Sequence, residues 1–425
     1  MPLETVTQAR VDGETTLDRL MCHPRLPLIA GWDSARPAVH IWDHADGTLR
    51  ACDIVGGHRL EYRLDAVWER FGRVPAAAWH PHEPLLTVAA EGEVTQWNAD
   101  GESVLAAVPA RAGYRDLAFS PDGHALWASP AMSGGDDEDD WWESSDVIDL
   151  VSGAVRLGPR WDTGVAEHPG GGLVATLRSD QGATYVAFAR PDTAAGPAMM
   201  RQLSRTLILS VDGYETPVFS ADGRHFAIRG NAYEHTLEVF AFPSLERVLG
   251  TTLGPPCPGY PYPEEWEEQV KAWSRHNIAF GLQPGVLWIG TPQGVLVQLD
   301  VHADSAAEHD VLAGAPVTAL AVTATGALVV ADGAGGLRIL SLPNGPEGAR
   351  APAREVAQAQ VDAFTTATFE VAHDADWEDV AVRTDGSRTW HPEDLDNLTD
   401  STESDPPWLQ IRAAVNRMGA GRDPS

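Results

Sequence analysis

The stretch LIAGWDSARPAVHIWD, residues 28–43, decides the fold of this chain. It contains an apolar segment, a turn marked by Ser, Pro and Asp, and a second segment that ends in Trp42 and Asp43. Short apolar runs bounded by such residues are typical of β-strands, because Pro and Asp favour the turn between antiparallel neighbours. The stretch therefore predicts two adjacent strands of an antiparallel sheet.

The same pattern occurs seven times along the chain. Equivalent positions near the ends of the third strands are 38 to 59 residues apart. A period of roughly 40 to 50 residues with four short strands per unit is typical of a β-propeller blade. A single sheet cannot bury both of its faces, so such units stack around an axis. The predicted third strands are 39–42, 94–97, 146–149, 184–188, 236–240, 295–300 and 337–340.

On these motifs the chain resembles the WD40-repeat family over roughly residues 15–345. Trp42-Asp43 is a full Trp-Asp dipeptide at a strand end. The resemblance implies that Asp33 and Asp332 are the turn aspartates that hydrogen-bond a Gly-His histidine in this family, and residues 57–58 match that pair. The repeats are degenerate, because other blades replace the strand-end tryptophan by Leu150, Phe240, Leu299 or Leu340.

The sequence therefore predicts an all-β protein, a seven-bladed β-propeller with short helical insertions. The propeller is assigned to residues 1–361, and an acidic C-terminal extension with a short terminal helix is assigned to 362–425. The last blade needs a fourth strand, which either 3–11 or 353–361 supplies; the resemblance favours the N-terminal strand, which removes an open sheet edge. The predicted blades are 17–54, 75–108, 114–158, 163–205, 213–253, 276–313 and 315–343.

The charge balance narrows the class of partner. The chain has 30 Lys and Arg residues against 61 Asp and Glu residues, a formal net charge of −31. This charge repels nucleic-acid phosphates and anionic membranes, so we expect a protein or peptide partner with a basic or neutral surface. Three cysteines and an N-terminus without a secretory leader predict a cytoplasmic protein, and the Ala-, Gly-, Pro- and Arg-rich composition indicates a GC-rich bacterial genome, such as an actinobacterial one.

An acidic segment with two tryptophans interrupts the third blade. Five consecutive carboxylates repel one another, so the segment is predicted to be an exposed loop. Tryptophan is a preferred interface anchor, and a loop of this kind serves either to dock a basic partner or simply to lie in solvent with its tryptophans folded back. The Asp spacing does not match a calcium-binding loop. The candidate partner-binding residues are Asp136, Asp137, Glu138, Asp139, Asp140, Trp141 and Trp142.

A proline-rich insertion at 255–263 is followed by a predicted helix at 264–275. Its residues Trp266, Val270 and Trp273 recur at i, i+4 and i+7, which places them on one helical stripe. The stripe either packs on the propeller edge or binds a partner. The candidate partner-binding residues of this insertion are Tyr260, Tyr262, Trp266 and Trp273. A second insertion, 60–73, is predicted to be a helix or an irregular flap.

The C-terminal extension is strongly acidic. Residues 370–405 hold twelve carboxylates against Arg383 and Arg388. A short amphipathic helix is predicted at 408–418, and Trp408 is a candidate partner-binding residue. Two interpretations stay open: a solvated tail whose helix docks on the propeller, or a tethered segment for partner recognition or self-masking.

No sequence motif of a catalytic centre is present. A nucleophile elbow, a zinc-binding helix and a phosphate-cradling glycine loop are all missing from the sequence. His80-Pro81-His82 offers two imidazoles as possible metal ligands. However, His-Pro also occurs at the start of the pattern in other blades, at 23–24 and 168–169, which indicates a recurring structural motif of the repeat. We assign no catalytic, cofactor-binding or metal-ligating residue and predict a non-catalytic protein-interaction scaffold or adaptor. The alternative is a propeller-type hydrolase or lactonase with an axial metal, for which isolated acids such as Asp162 are candidates.

Overall fold

Seven antiparallel sheets form the blades of a β-propeller, which confirms the predicted fold class. A computed structural model of the chain describes residues 3–11, 15–57, 62, 73–106, 108, 113–133, 142–180, 183–194, 196–210, 213–230, 235–303, 305–342, 350–372 and 375–420. The propeller strands, in chain order, are β1 Glu4–Arg10, β2 Leu17–Cys22, β3 Leu28–Asp33, β4 Ala38–Asp43, β5 Arg50–Gly56, β6 Ala76–Trp79, β7 Leu86–Ala90, β8 Glu93–Asn98, β9 Gly101–Val104, β10 Asp116–Phe119, β11 Ala125–Ser129, β12 Ser144–Asp149, β13 Val155–Pro159, β14 Thr163–Glu167, β15 Val174–Asp180, β16 Ala183–Asp192, β17 Met199–Leu209, β18 Val218–Phe219, β19 His225–Arg229, β20 Thr236–Ala241, β21 Arg247–Thr252, β22 Ile278–Phe280, β23 Val286–Gly290, β24 Val295–Asp300, β25 Ser305–Asp310, β26 Val317–Val322, β27 Leu328–Asp332 and β28 Gly336–Ser341.

Each blade runs from an inner first strand to an outer fourth strand. Blades 1 to 6 contain β2–β5, β6–β9, β10–β13, β14–β17, β18–β21 and β22–β25, and blade 7 contains β26–β28. The second strands are buried along their whole length in blades 1, 3, 5, 6 and 7, whereas β9 is fully exposed. The core therefore lies between neighbouring sheets, as the apolar runs of the sequence predict.

The N-terminal strand closes the ring. Strand β1 pairs antiparallel with β28 and so becomes the fourth strand of blade 7. The other strand that the sequence offered, 353–361, lies instead inside a helix, α2, which spans Arg350–Thr366. Burial explains the helix, because Ala357, Val361 and Phe364 follow one helical stripe and all three are buried.

Blade 1 keeps a polar network at its turn. The Asp33 carboxylate accepts hydrogen bonds from Thr15 Oγ1 at 2.6 Å and from Arg36 Nε at 2.8 Å, and His40 Nε2 lies 2.9 Å away. Although burial opposes ionisation, the hydrogen bonds from His40, Thr15 and Arg36 lower the pKa of Asp33 well below its usual range. The histidine partner of Asp33 is thus His40 of the same blade. Residue 58, which the resemblance suggests as the Gly-His histidine of the second blade, lies outside the described residues.

The connections between strands divide into two faces. Successive strands are antiparallel, so connections from second to third strands, and from each blade to the next, emerge at the same end of the sheets. We call this end the insertion face; it carries the connections 57–75, 130–143 and 253–277. The opposite end, which we call the turn face, carries the short connections within each blade from first to second and from third to fourth strands.

The C-terminal extension is built onto blade 4. Its strand β29, Val382–Thr384, pairs in parallel with β17, and β30, Thr389–Trp390, pairs with β29, so this sheet has six strands. The remaining helices are α1 Glu264–Lys271, α3 Trp377–Val380, α4 Pro392–Asp396 and α5 Pro407–Ala420. None of the described helices is long and apolar enough to span a membrane.

Apolar side chains anchor the extension at two points. Phe364 of α2 is fully buried and packs in one cluster with residues of blades 4 and 5, including Phe188 and Phe242. The indole of Trp377 is buried, and its Nε1 donates to the carbonyl oxygen of Leu203 at 3.1 Å. A solvated tail is therefore the wrong description of the described residues 350–420, whose carboxylates lie on a folded, docked element.

Candidate functional site

The acidic loop of blade 3 returns to the propeller beside its first strand. Residues 134–141, which include the candidates Asp136 to Trp141, lie outside the described residues. The last candidate of the loop, Trp142, is 39% exposed, and the Arg115 guanidinium lies 4.1 Å from its ring centroid. A cation over an indole face is an attractive contact, so Arg115 holds the base of the loop on the insertion face.

The loop and the C-terminal extension meet at one arginine. Arg178 of blade 4 lies 3.1 Å from a carboxylate oxygen of Glu378 in the extension. The same guanidinium lies 3.9 Å from Glu143 at the end of the loop, and Arg160 lies 3.3 Å from Glu143. Because the Arg178 side chain is only 15% exposed, this contact places both acidic segments at the same corner of the insertion face.

The insertion 253–277 docks on blade 5 through its second half. Helix α1 ends at Lys271, four residues before the predicted end at 275. The cause is a pair of contacts from blade 5: His235 Nε2 lies 2.8 Å from the carbonyl oxygen of Val270, and Arg229 Nη2 donates to that of Ser274 at 3.0 Å. Trp273 lies beyond the helix and is half-buried. The predicted stripe therefore splits at the end of α1.

The first half of this insertion displays its aromatic rings. Tyr260 is 90% exposed and Tyr262 is 36% exposed. The Tyr262 ring stacks on Trp266, with centroids 5.0 Å apart and planes at 26°, and meets Tyr260 edge-on at 6.0 Å. These three candidates are thus brought together in one cluster, which is distant in sequence from Trp142 but shares its face.

Two of the candidates have structural roles. The half-buried Trp273 packs against the backbone at Gly254, so closely that a Cβ atom added to this glycine would lie 3.6 Å from the indole. Trp408 at the start of α5 is half-buried and packs edge-on against Trp390 of β30, with ring centroids 5.1 Å apart. Neither ring is displayed in the way that Tyr260 is.

A cluster of ionisable groups lies at the propeller axis, and the sequence did not reveal it. Arg19 of blade 1, Asp116 of blade 3, and Glu215 and His276 at the starts of blades 5 and 6 interact electrostatically. The Glu215 carboxylate lies 3.8 Å from His276 Nδ1. Asp116 begins the inner strand β10 and His276 precedes the inner strand β22, so the electrostatic interactions among blades 1, 3, 5 and 6 place these groups around the propeller axis.

The axial groups have altered proton affinities. Burial raises the pKa of Asp116 to about 7, opposed by Arg19 and reinforced by Glu215 and Asp162. Burial lowers the pKa of His276 to about 4, with Glu215 opposing the shift. A carboxyl group that exchanges its proton near neutral pH is suited to proton transfer or to binding a polar ligand. Among the described residues, no three or more His, Cys, Asp or Glu side chains form a group suited to hold a metal ion.

The His-Pro motifs are staples between neighbouring blades. His23 Nε2 donates to the carbonyl oxygen of Glu83 in the next blade at 2.8 Å, and His168 Nε2 donates to that of Gly223 at 3.0 Å. The Nδ1 atom of each accepts a backbone amide of its own turn, as does that of His80, which accepts from Glu83 at 2.9 Å. Both ring nitrogens of His23 and His168 are therefore hydrogen-bonded within the fold, which supports the interpretation of His-Pro as a structural motif of the repeat.

The fold and the site define a class: a seven-bladed propeller with aromatic and acidic insertions on one face and a polar cluster at its axis. No protein-family model matches the sequence, and no curated protein matches it significantly. Propellers serve many unrelated functions, so the fold by itself does not assign one.

Proposed function

We propose that this chain is a non-catalytic scaffold or adaptor, a degenerate WD40-like propeller of the bacterial cytoplasm that binds a protein or peptide on its insertion face. The observation that supports this proposal is the display of aromatic side chains on that face. Trp142, Tyr260 and Tyr262 are exposed there on elements whose bases are held by Arg115 and His235.

Physical arguments favour a protein partner. Tyrosine and tryptophan supply much of the binding energy in protein interfaces, because they bury a large area with few rotatable bonds. Elements held by fixed contacts lose little conformational freedom on binding. The net charge of −31 selects a basic or neutral partner surface, and association is expected to weaken as salt screens this charge.

Affinity capture from a lysate of the source cells tests the proposal. The bait is the full chain, compared with a variant whose exposed insertion-face rings are removed. A matched control removes equally exposed apolar side chains elsewhere. The insertion-face variant carries Trp142→Ala, Tyr260→Ala and Tyr262→Ala; the control carries Val151→Ala, Leu157→Ala and Val248→Ala, which are 83%, 51% and 43% exposed before substitution.

The scaffold proposal expects a salt-sensitive partner that the wild type and the control variant capture and the insertion-face variant loses. Loss in the control variant with retention in the insertion-face variant would contradict it. The two variants alter similar numbers of exposed groups, so general loss of solubility affects both.

One observation favours the second candidate, a propeller-type hydrolase or lactonase, although the described residues hold no group of ligands for its axial metal. The Asp116 carboxyl and the Glu215–His276 pair come from different blades and lie around the propeller axis, and a concave site with convergent polar groups is the usual place for catalysis. Elemental analysis of the purified chain distinguishes the two. One calcium or zinc per chain, lost in an Asp116→Asn variant, would support the hydrolase, whereas the scaffold proposal expects metal far below one equivalent in both proteins.

A further inference from the structure

We infer that Tyr260, Tyr262 and the first turn of α1 form a seat for an arginine side chain of the partner protein. This inference rests on the proposed function and names the chemistry that the insertion face recognises. It is carried by the ring geometry, the rigidity of the support and the charge around it.

The two tyrosines form an open aromatic corner. Their ring planes stand at 86° with centroids 6.0 Å apart, so one ring presents its edge to the other. Tyr262 is covered on one side by Trp266 at 5.0 Å, and Tyr260 is 90% exposed. One side of the corner is thus backed by protein and the other is open to a ligand.

The corner is held on a stiff support. Trp266 Nε1 donates to the carbonyl oxygen of Pro256 at 3.0 Å, which ties the helix to the proline segment before it. The five prolines of the segment 255–263 each fix their own φ, which reduces the backbone freedom that the segment can lose on binding. A seat that is already in place costs less to occupy than one that must be ordered on binding.

Carboxylates follow the corner directly in the sequence. Glu264, Glu265 and Glu267 lie in the first turn of α1, and only Glu267 is paired there, at 3.1 Å from Lys271 Nζ. Glu264 and Glu265 are exposed and make no ion pair among the described residues. Aromatic faces beside free carboxylates attract a cation and repel an anion.

Arginine matches this arrangement better than lysine. Its planar guanidinium stacks on an aromatic face and keeps its edge N–H groups free to reach a carboxylate with two hydrogen bonds. The lysine ammonium is a compact, strongly hydrated charge that satisfies one of these contacts at a time. The seat should therefore discriminate between two side chains of equal charge.

The test uses three labelled peptides that differ at one kind of residue. Each has the same alanine and proline background with two positions occupied by arginine, lysine or the neutral isostere citrulline. Binding to the full chain is measured by fluorescence anisotropy at low and high salt. We expect the arginine peptide to bind most tightly and the citrulline peptide most weakly.

Variants locate the binding. Tyr260→Ala is expected to weaken the arginine peptide about two- to fivefold, the range for an exposed cation–aromatic contact. The control Phe369→Ala removes a 57% exposed ring of the C-terminal extension, outside the seat, and should leave binding unchanged. The combined variant Glu264→Gln, Glu265→Gln should bind more weakly and with a smaller salt dependence.

Two results would overturn the seat: equal binding of the arginine and citrulline peptides, or no weakening by Tyr260→Ala. These outcomes differ from failure of the scaffold proposal. If the triple insertion-face variant loses its captured partner but the peptides show no arginine preference, the scaffold stands and the seat does not. If arginine is preferred but the partner is captured equally well by the triple insertion-face variant, the scaffold proposal fails and the seat remains.

Discussion

The C-terminal extension and the insertion 253–277 both interrupt the repeat with aromatic and acidic residues, yet the fold uses them in opposite ways. In the extension, Phe364 and Trp377 are 0% and 3% exposed. In the insertion, Tyr260 and Tyr262 are 90% and 36% exposed. The same composition therefore completes the core in one place and forms a display surface in the other.

The neighbouring blade explains the difference. The outer strand β17 of blade 4 has 11 residues and an open edge, which β29 covers by parallel pairing. The insertion instead joins blades 5 and 6, whose outer strands β21 and β25 have only six residues each and pair with no strand of the insertion. The insertion contacts blade 5 through Val270 and Ser274 of its second half, and its tyrosine rings stay at the surface.

The largest loss of stability is expected from a substitution at the point where the extension packs into the core. Phe364→Ala should lower the free energy of unfolding by about 3 to 5 kcal/mol, because it empties a site among buried rings of blades 4 and 5. Chemical denaturation measures this loss. The control is Phe369→Ala, which removes a 57% exposed ring of the same extension. Equal stability of the two variants would break the comparison, since it would mean that α2 is not part of the core.

The polar network of Asp33 in blade 1 shows what a buried contact contributes to the stability of a regular blade. Asp33→Ala should cost about 3 kcal/mol, because it leaves His40 and Thr15 buried without their acceptor. Asp43→Ala removes the exposed pair with Arg50 and should cost less than about 1 kcal/mol. Urea titration of both variants checks the prediction, and a costlier Asp43→Ala would contradict it.

Acid should weaken the surface on which α2 rests. His168 is fully buried beside Gly223, and burial lowers its pKa to about 4, below the ordinary value of 6.5. The unfolded chain therefore takes up this proton first as pH falls, so the contribution of His168 is complete above pH 6.5 and declines towards pH 4. At pH 5 the loss is about 2 kcal/mol.

A His168→Gln variant isolates this group from other titrations. Its stability should change less than that of the wild type between pH 7 and pH 5, measured by denaturant unfolding at each pH. If the free energies of unfolding of the two proteins depend on pH in the same way, His168 is not buried as a neutral side chain between the blades.

The smallest effect is expected at the displayed rings. Tyr260→Ala should change the free energy of unfolding by less than about 0.5 kcal/mol, because the side chain is 90% exposed. Thermal unfolding beside the wild type gives the measurement. A loss of several degrees in the melting temperature would show that the ring belongs to the core, and the insertion would then resemble the extension.

Local patterns carried much of the fold. The seven predicted third strands all coincide with observed third strands, because hairpin partners are close in sequence and their turns are marked by Gly, Pro and Asp. The terminal helix predicted at 408–418 is observed at Pro407–Ala420, because the apolar pattern of a helix is also local in sequence. In this helix Leu409 and Ala413 are buried, whereas the apolar side chains of Ile411 and Val415 are exposed.

Contacts between distant segments could not be read in this way. Strand β29 pairs with β17 across about 175 residues, and nothing in the three residues Val382–Thr384 marks that partner. The alternation at 353–361 suggested a strand, and only the stripe that continues to Phe364 distinguishes the helix. The axial cluster joins Arg19 to His276 across the ring, so its convergence depends on closure of the propeller.

Hydrogen–deuterium exchange of the full chain tests most directly whether the extension is structural and the insertion displayed. The amides of β29 should exchange as slowly as those of β17, because the two strands are hydrogen-bonded inside one sheet. The amides of the four non-proline residues of 255–263, namely Cys257, Gly259, Tyr260 and Tyr262, belong to no strand or helix and should exchange much faster. Rapid exchange of β29, at the rate of 255–263 and with blade 4 otherwise protected, would contradict the account.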